Sequence, residues 1–177
     1  MTIRKAKPED AFGIAKVQVD SWRTTYKGIV PDSFLEELSY EKREKVWKEA
    51  IGSHHLFVAE NKQGQIVGFV SGGKERSGKF GTFDGELYAI YLLKEVQGKR
   101  IGTRLVKALI QAMIDSDFRS MLVNVLAENP ATHFYEALGG QWIGTDEVTI
   151  GGKQLKSRIY GWRSLKDVLE DLSSVKN

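Results

Sequence analysis

The sequence predicts a single α/β domain with a mixed central sheet of about seven strands and helices on its flanks. Three observations carry this. Short apolar runs rich in Val, Ile, Leu, Phe and Tyr recur between stretches with helical periodicity. Their order reads strand, two helices, three strands, helix, strand, helix, strand, strand, which is neither a strict βα alternation nor an all-β series. At 177 residues with 41% hydrophobic content, the chain can bury one real core, and no repeat or low-complexity block divides it.

Residues 2–6 (TIRKA) form a short first strand. Pro8, followed by Glu9 and Asp10, opens a helix over 7–22 with Ile14, Val17 and Trp22 as inward candidates. Gly28 and Pro31 break it. A second helix runs over 33–51, with Leu35, Leu38, Val46 and Trp47 as its apolar side. Residues 55–60 and 65–73 flank Asn-Lys-Gln-Gly and make a hairpin. A mobile loop over 73–85 precedes the strand 86–93. The helix 102–116 stacks Leu105, Leu109, Ala112 and Met113 into one buried stripe. Residues 120–128 make a buried strand, and the short helix 130–138 stops at Gly139-Gly140. Two strands flank the Gly151-Gly152 turn, and the domain over 1–165 is followed by a polar helix or tail over 166–177.

Composition excludes several function classes. With no Cys there is no disulfide, thiol nucleophile or thiolate metal site, which fits a reducing compartment. The three histidines lack metal-ligand spacing, so no metal is expected. The charged start MTIRKAKPED has no apolar leader region, and no apolar run approaches the roughly 18 residues of a spanning helix. A soluble, cytoplasmic protein without a membrane partner is expected. A net charge of +3 is too small to argue for nucleic acid.

The informative stretch is EVQGKRIGTRLVKAL (95–109). An uncharged strand ends, and a loop with Gly98, Lys99, Arg100 and Gly102 opens straight into a helix. The first N–H groups of a helix have no intrahelical partner, and the dipole adds positive character there, so an anion fits. A turn with solvated charges fits equally. The loop is not a P-loop, because Arg100 follows Lys99 where Ser or Thr is required, and no G-x-G-x-x-G follows a strand.

The loop resembles motif A of the GCN5-related N-acetyltransferase superfamily, Gln/Arg-x-x-Gly-x-Gly/Ala after the fourth strand. Gln97 and Gly102 match, while Arg100 stands at the usual middle glycine. ENPATHFYEALGG (128–140) resembles the motif B region, and SWRTTYKGIVPD (21–32) the first helix and loop of many bacterial members. The resemblance runs almost end to end and implies a sheet splayed between strands four and five. There the pantetheine arm of acetyl-CoA would meet the backbone of Ile90, Tyr91 and Leu92. Gln97, Gly98, Lys99, Arg100, Ile101, Gly102 and Thr103 would hold the pyrophosphate.

The resemblance also assigns catalytic roles. Glu86 lies eleven residues before Gln97, where members using a glutamate base carry one; the alternative is a solvated acid at a strand edge. Tyr135 matches the tyrosine that protonates the departing thiolate, and otherwise is a core ring. Asn129 is the side-chain contact to the pantetheine arm, the N-cap of the next helix, or both. Trp22 and Tyr26 line the acceptor pocket or the core. The implied function is acetyl transfer from acetyl-CoA to a small-molecule amine or a protein or peptide amine, without a covalent enzyme intermediate. A homodimer stays open. An acyltransferase with another acyl-CoA or acceptor, and a non-catalytic CoA-binding regulatory module, also stay open.

Overall fold

The structure, a computed structural model, describes residues 1–174. Strand β1 (Thr2–Lys5) leads through a 3-10 turn at Pro8–Asp10 into helix α1 (Ala11–Thr25). Helices α2 (Asp32–Glu36) and α3 (Tyr40–Ala50) follow, then β2 (His55–Glu60), β3 (Ile66–Lys74) and β4 (Gly85–Leu92). Helix α4 (Ile101–Asp115), β5 (Met121–Leu126), α5 (Ala131–Ala137), β6 (Gln141–Ile150), β7 (Lys153–Trp162) and α6 (Leu165–Ser174) complete the order. The last three positions of the expected tail lie outside the described residues.

The strands form one seven-stranded sheet in the order β1-β2-β3-β4-β5-β7-β6. The β4–β5 pair is parallel and the other neighbours are antiparallel. Strand β5 shows why two layers form. Met121, Val123 and Val125 belong to the core under α4, while Leu122 and Leu126 serve apolar clusters on the opposite face. Leu105, Leu109 and Met113 of α4 are fully buried on the first face, joined by Val106 and Ile110. Leu165 anchors α6 in the same core. On the other face, Ile14 and Val17 of α1 and Trp47 of α3 cover Leu56, Val58 and Phe69.

Two expectations are corrected. The single helix over 33–51 is two helices, because the Ser39 hydroxyl accepts from the Lys42 N–H at 3.3 Å and caps a fresh start. Val46 is 50% exposed, not inward. The rotation of α3 is set by Trp47, whose indole N–H donates to Gln18 Oε1 at 2.7 Å, and the residue beside it turns to solvent. The loop between β3 and β4 is tied down at several points. The Asp84 carboxylate accepts from the N–H groups of Arg119 and Ser120 at 2.9 Å each, and Phe83 packs on Leu122 and Ile159.

Candidate active site

Strands β4 and β5 stay in register only from Gly85–Leu87 against Met121–Val123. Tyr88 then forms a bulge, since on β3 Ser71 pairs with Ala89 and Gly72 with Leu87. A bulge bends and twists its strand, and the second half of β4 leaves β5. The Leu93 N–H donates to the Val67 carbonyl at 2.9 Å. Strand alternation therefore turns the N–H and C=O groups of Leu92 and Ile90 away from β3, into the gap. The Leu92 carbonyl is already taken, by Gln97 Nε2 at 3.1 Å and by Ser21 Oγ at 3.4 Å. The side chain of Gln97 thus folds the loop back onto the end of β4.

Helix α4 begins beside this gap. Its first backbone bond runs from the Arg104 N–H to the Arg100 carbonyl at 3.1 Å, so the N–H groups of Ile101, Gly102 and Thr103 have no intrahelical acceptor. A groove of about 660 Å³ joins the gap to this helix end. It is lined by Ile90, Tyr91, Leu92, Gln97, Gly98, Arg100, Ile101, Gly102, Thr103 and Asn129, as well as by Ser21, Thr24, Thr25, Lys94, Pro130, Ala131 and Phe134. Lys99 is exposed and is not part of the lining. A second cleft, of about 820 Å³, runs along α1 and shares Ser21, Thr24 and Lys94 with the groove.

Asn129 spends both ends of its amide inside the protein. Its Oδ1 accepts from the Ala131 N–H at 2.8 Å, capping α5, and its Nδ2 donates to the Tyr26 hydroxyl at 3.0 Å. Tyr26 interacts in turn with the Tyr91 hydroxyl, and the Tyr135 hydroxyl is close enough to act on both electrostatically. Three phenols from α1's end, β4 and α5 therefore stand close together, Tyr91 lining the groove and Tyr26 and Tyr135 buried behind it. Burial is the main cause pushing each of their pKa values up, so all three stay protonated at neutral pH. Trp22 packs its ring on Tyr26 and Phe34, in an apolar cluster roofed by Ile150 and Leu155 of the β6–β7 hairpin.

Neither Tyr135 nor Glu86 lines the groove itself. Tyr135 is 4% exposed, its ring packed among Phe134, Tyr160 and Trp162. Glu86 sits on the paired half of β4, and its carboxylate accepts from Arg76 through Nη2 at 2.8 Å and through the backbone N–H at 3.1 Å. Among the described residues, no group of three or more His, Asp or Glu side chains stands together as a metal site, and no helix is long and apolar enough to cross a membrane.

A strand pair opening onto a bare helix N-terminus is the geometry expected of an acyl-CoA site, and residues 18–140 match the model of the acetyltransferase (GNAT) family. The chain belongs to that family. It is 42% identical over 165 residues to YuaI, an uncharacterized N-acetyltransferase of Bacillus subtilis (strain 168), covering 93% of this chain and 94% of that one. Its fold is similar to that of ribosomal-protein-alanine N-acetyltransferase from Brucella melitensis, with a TM-score of 0.72, 23% identity and coverage of 92% and 99%. It is also similar to a phosphinothricin acetyltransferase from Sinorhizobium meliloti in complex with acetyl-CoA, with a TM-score of 0.70, 22% identity and coverage of 91% and 86%.

The GNAT motif gives the one departure in the loop a physical reading. Arg100 has φ 61° and ψ 14°, the left-handed conformation that a glycine at this position adopts freely. The loop holds this left-handed turn at a cost of roughly 1–2 kcal/mol for a residue with a Cβ. Comparing Arg100→Gly with Arg100→Ala isolates that cost, because both variants lose the same side chain. The glycine variant is expected to be the more stable by about 1 kcal/mol in urea unfolding. Equal stabilities would show that the backbone relaxes without strain.

The sequence pointed to most of the groove's lining but not to Ser21, Thr24, Thr25, Lys94, Pro130, Ala131 or Phe134. Ser21, Thr24 and Thr25 are small polar residues at the end of an apolar helix face, and that break in the pattern is the signal available.

Proposed function

We propose that this chain transfers the acetyl group of acetyl-CoA to a primary amine by direct attack, with no covalent enzyme intermediate. The observation that carries the reading is the gap between β4 and β5 that runs into the N-terminus of α4. The donor set suits the donor molecule. The N–H groups of Ile101, Gly102 and Thr103 face a pyrophosphate, and Lys94 and Arg100 add positive charge at the groove wall. The N–H and C=O of Ile90 and the N–H of Leu92 are left facing the place of a missing strand, the Leu92 carbonyl being held by Gln97 and Ser21, and a pantetheine arm with its amides can fill that place.

Acetyl-CoA supplies an acyl group activated as a thioester. Backbone N–H groups of the splayed β4 polarise its carbonyl, a role that needs no side chain. The acceptor nitrogen forms a bond to the carbonyl carbon as the carbon–sulfur bond breaks. Tyr135 gives its proton to the leaving sulfur, which its protonated state permits, and is reprotonated from solvent. An alkylammonium, with a pKa of about 10.4 for a lysine-like group, must first lose a proton. Glu86 accepts that proton through water along the same face of β4. The acceptor side is bounded by Trp22, Tyr26 and the β6–β7 hairpin, whose Lys153 Nζ donates to the Ile29 carbonyl at 3.0 Å.

The test is a turnover screen with acetyl-CoA against a panel of amines, reading free thiol. Release of thiol that requires both the amine and the protein is the expected result. If no amine is acetylated while coenzyme A still binds, the chain is a CoA-binding module rather than an enzyme.

A further inference from the structure

Among the described residues, two carboxylates are both buried and ion-paired, and their partners differ in kind. Asp10 is held by Arg4, whose guanidinium also binds Glu60 and has 26% side-chain exposure. That pair joins β1, the turn before α1 and β2, and it is structural. Glu86 has 8% side-chain exposure, but its partner Arg76 comes from the loop between β3 and β4 and is 59% exposed. The buried acid belongs to a central strand, whereas the cation that neutralises it is a surface side chain.

The surroundings of Glu86 are built for a cation. The Arg76 guanidinium carbon lies 4.0 Å from the centroid of the Tyr88 ring. That ring is held in place from behind: its hydroxyl donates to the Lys74 carbonyl, and it packs so closely on Gly73 that a Cβ there would stand 3.0 Å from the hydroxyl. His54 stands edge-on to the same ring, with centroids 4.9 Å apart. A carboxylate beside a fixed aromatic face recognises alkylammonium and guanidinium groups alike. The other charged groups nearby do not compete. Glu75 is spent on the Ser77 and Gly78 N–H groups, and burial holds the His54 imidazole below its usual pKa, so it stays neutral near pH 7.

We propose that Arg76 is a stand-in for the acceptor's ammonium: the Glu86–Tyr88 box receives a cationic amine, which enters by displacing the Arg76 guanidinium. This rests on the acetyltransfer reading and adds to it a specificity residue and a preference for positively charged acceptors. Arg76 covers a carboxylate that would otherwise be buried without a counter-charge in the amine-free enzyme. An ammonium that takes its place hands a proton to Glu86 and leaves it as a neutral amine, and the protonated carboxyl returns the proton to water. The Glu86 side of the box lies on the paired half of β4, beneath an exposed side chain.

The test uses methylguanidinium, a mimic of the arginine head group, titrated calorimetrically into the protein loaded with coenzyme A at matched ionic strength. Arg76→Ala is expected to bind it up to about fivefold more tightly than the wild type, because an ion pair with an exposed partner competes by up to about that factor. Arg76→Gln, a neutral side chain of similar bulk, should do the same, and Arg76→Lys should restore the wild-type weakness. Adding Glu86→Gln to Arg76→Ala should remove the binding. In turnover with the best amine of the screen, Arg76→Ala should lower KM about fivefold, with the change falling on KM rather than kcat. Equal binding by wild type and Arg76→Ala, or binding that survives the loss of Glu86, overturns the proposal. A KM that rises also overturns it, since Arg76 would then be recruiting an anionic group of the acceptor. Methylguanidinium binding as expected with no amine turned over would sustain the box and sink acetyltransfer instead.

Discussion

Gly102→Glu is expected to abolish stabilisation by acetyl-CoA while leaving the apoprotein folded. A Cβ at Gly102 would meet Leu92 Cδ1 at 3.4 Å and the Phe134 ring at 3.5 Å, ordinary contact distances, so the chain itself tolerates a side chain there. An acid in the first turn of α4 even favours the helix dipole by a few tenths of a kcal/mol. The site needs glycine for a different reason. The carboxylate would project into the groove over the N–H groups of Ile101–Thr103, blocking the pyrophosphate and repelling it. At a ligand concentration of 100 times Kd, the wild type should gain about 2.7 kcal/mol of unfolding free energy. A hundredfold loss of affinity would cut that to about 0.4 kcal/mol. Differential scanning calorimetry with and without acetyl-CoA reads both halves of the expectation. ATP at equal concentration should stabilise the wild type much less, because it has no pantetheine arm for the gap between β4 and β5. Undiminished stabilisation of the variant would move the pyrophosphate away from α4.

The fold was legible where local pattern and tertiary burial agree. The stripe Leu105–Leu109–Met113 predicted α4 and its buried face directly, because each residue's position in the period decides whether it is buried, and the apolar run 120–128 predicted β5 as a buried strand. Prediction failed at α2 and α3, where a continuous apolar periodicity hid the Ser39 cap, and at Val46, whose orientation is fixed by a hydrogen bond from Trp47 to a residue on another helix. The loop of the candidate site was legible because it is contiguous, from Gln97 to Thr103. Its strained Arg100 was visible as a departure from a motif, though its φ was not. Contacts between distant segments left no local trace. The meeting of Tyr26, Tyr91 and Asn129 joins residues up to 103 positions apart. The Arg76–Glu86 pair closes a loop whose path no periodicity records.

Tyr135→Phe is expected to lower kcat by about 10²-fold, at the lower end of what a general acid contributes, because water can partly replace the phenol. The substitution removes one oxygen and keeps the ring, which is packed against Phe134, Tyr160 and Trp162, so folding and coenzyme A affinity should hardly change. The buried hydroxyl resists ionisation, chiefly through desolvation and then through the neighbouring Tyr26, so it stays protonated across the working pH range, although the same shift makes it a weaker acid. Loss of rate should therefore appear at every pH rather than on one limb of the profile. Glu86→Gln should behave differently. It removes the acceptor of the amine's proton, and the lost activity should return as pH rises toward about 10, where the amine deprotonates unaided. Assaying both variants from pH 6 to 10 with the best amine separates the two roles. A flat loss in Tyr135→Phe and a pH-dependent, recoverable loss in Glu86→Gln support the acid and the base as named. Full rates in both variants at all pH values would leave the fold and the acetyl-CoA groove standing and require another proton path.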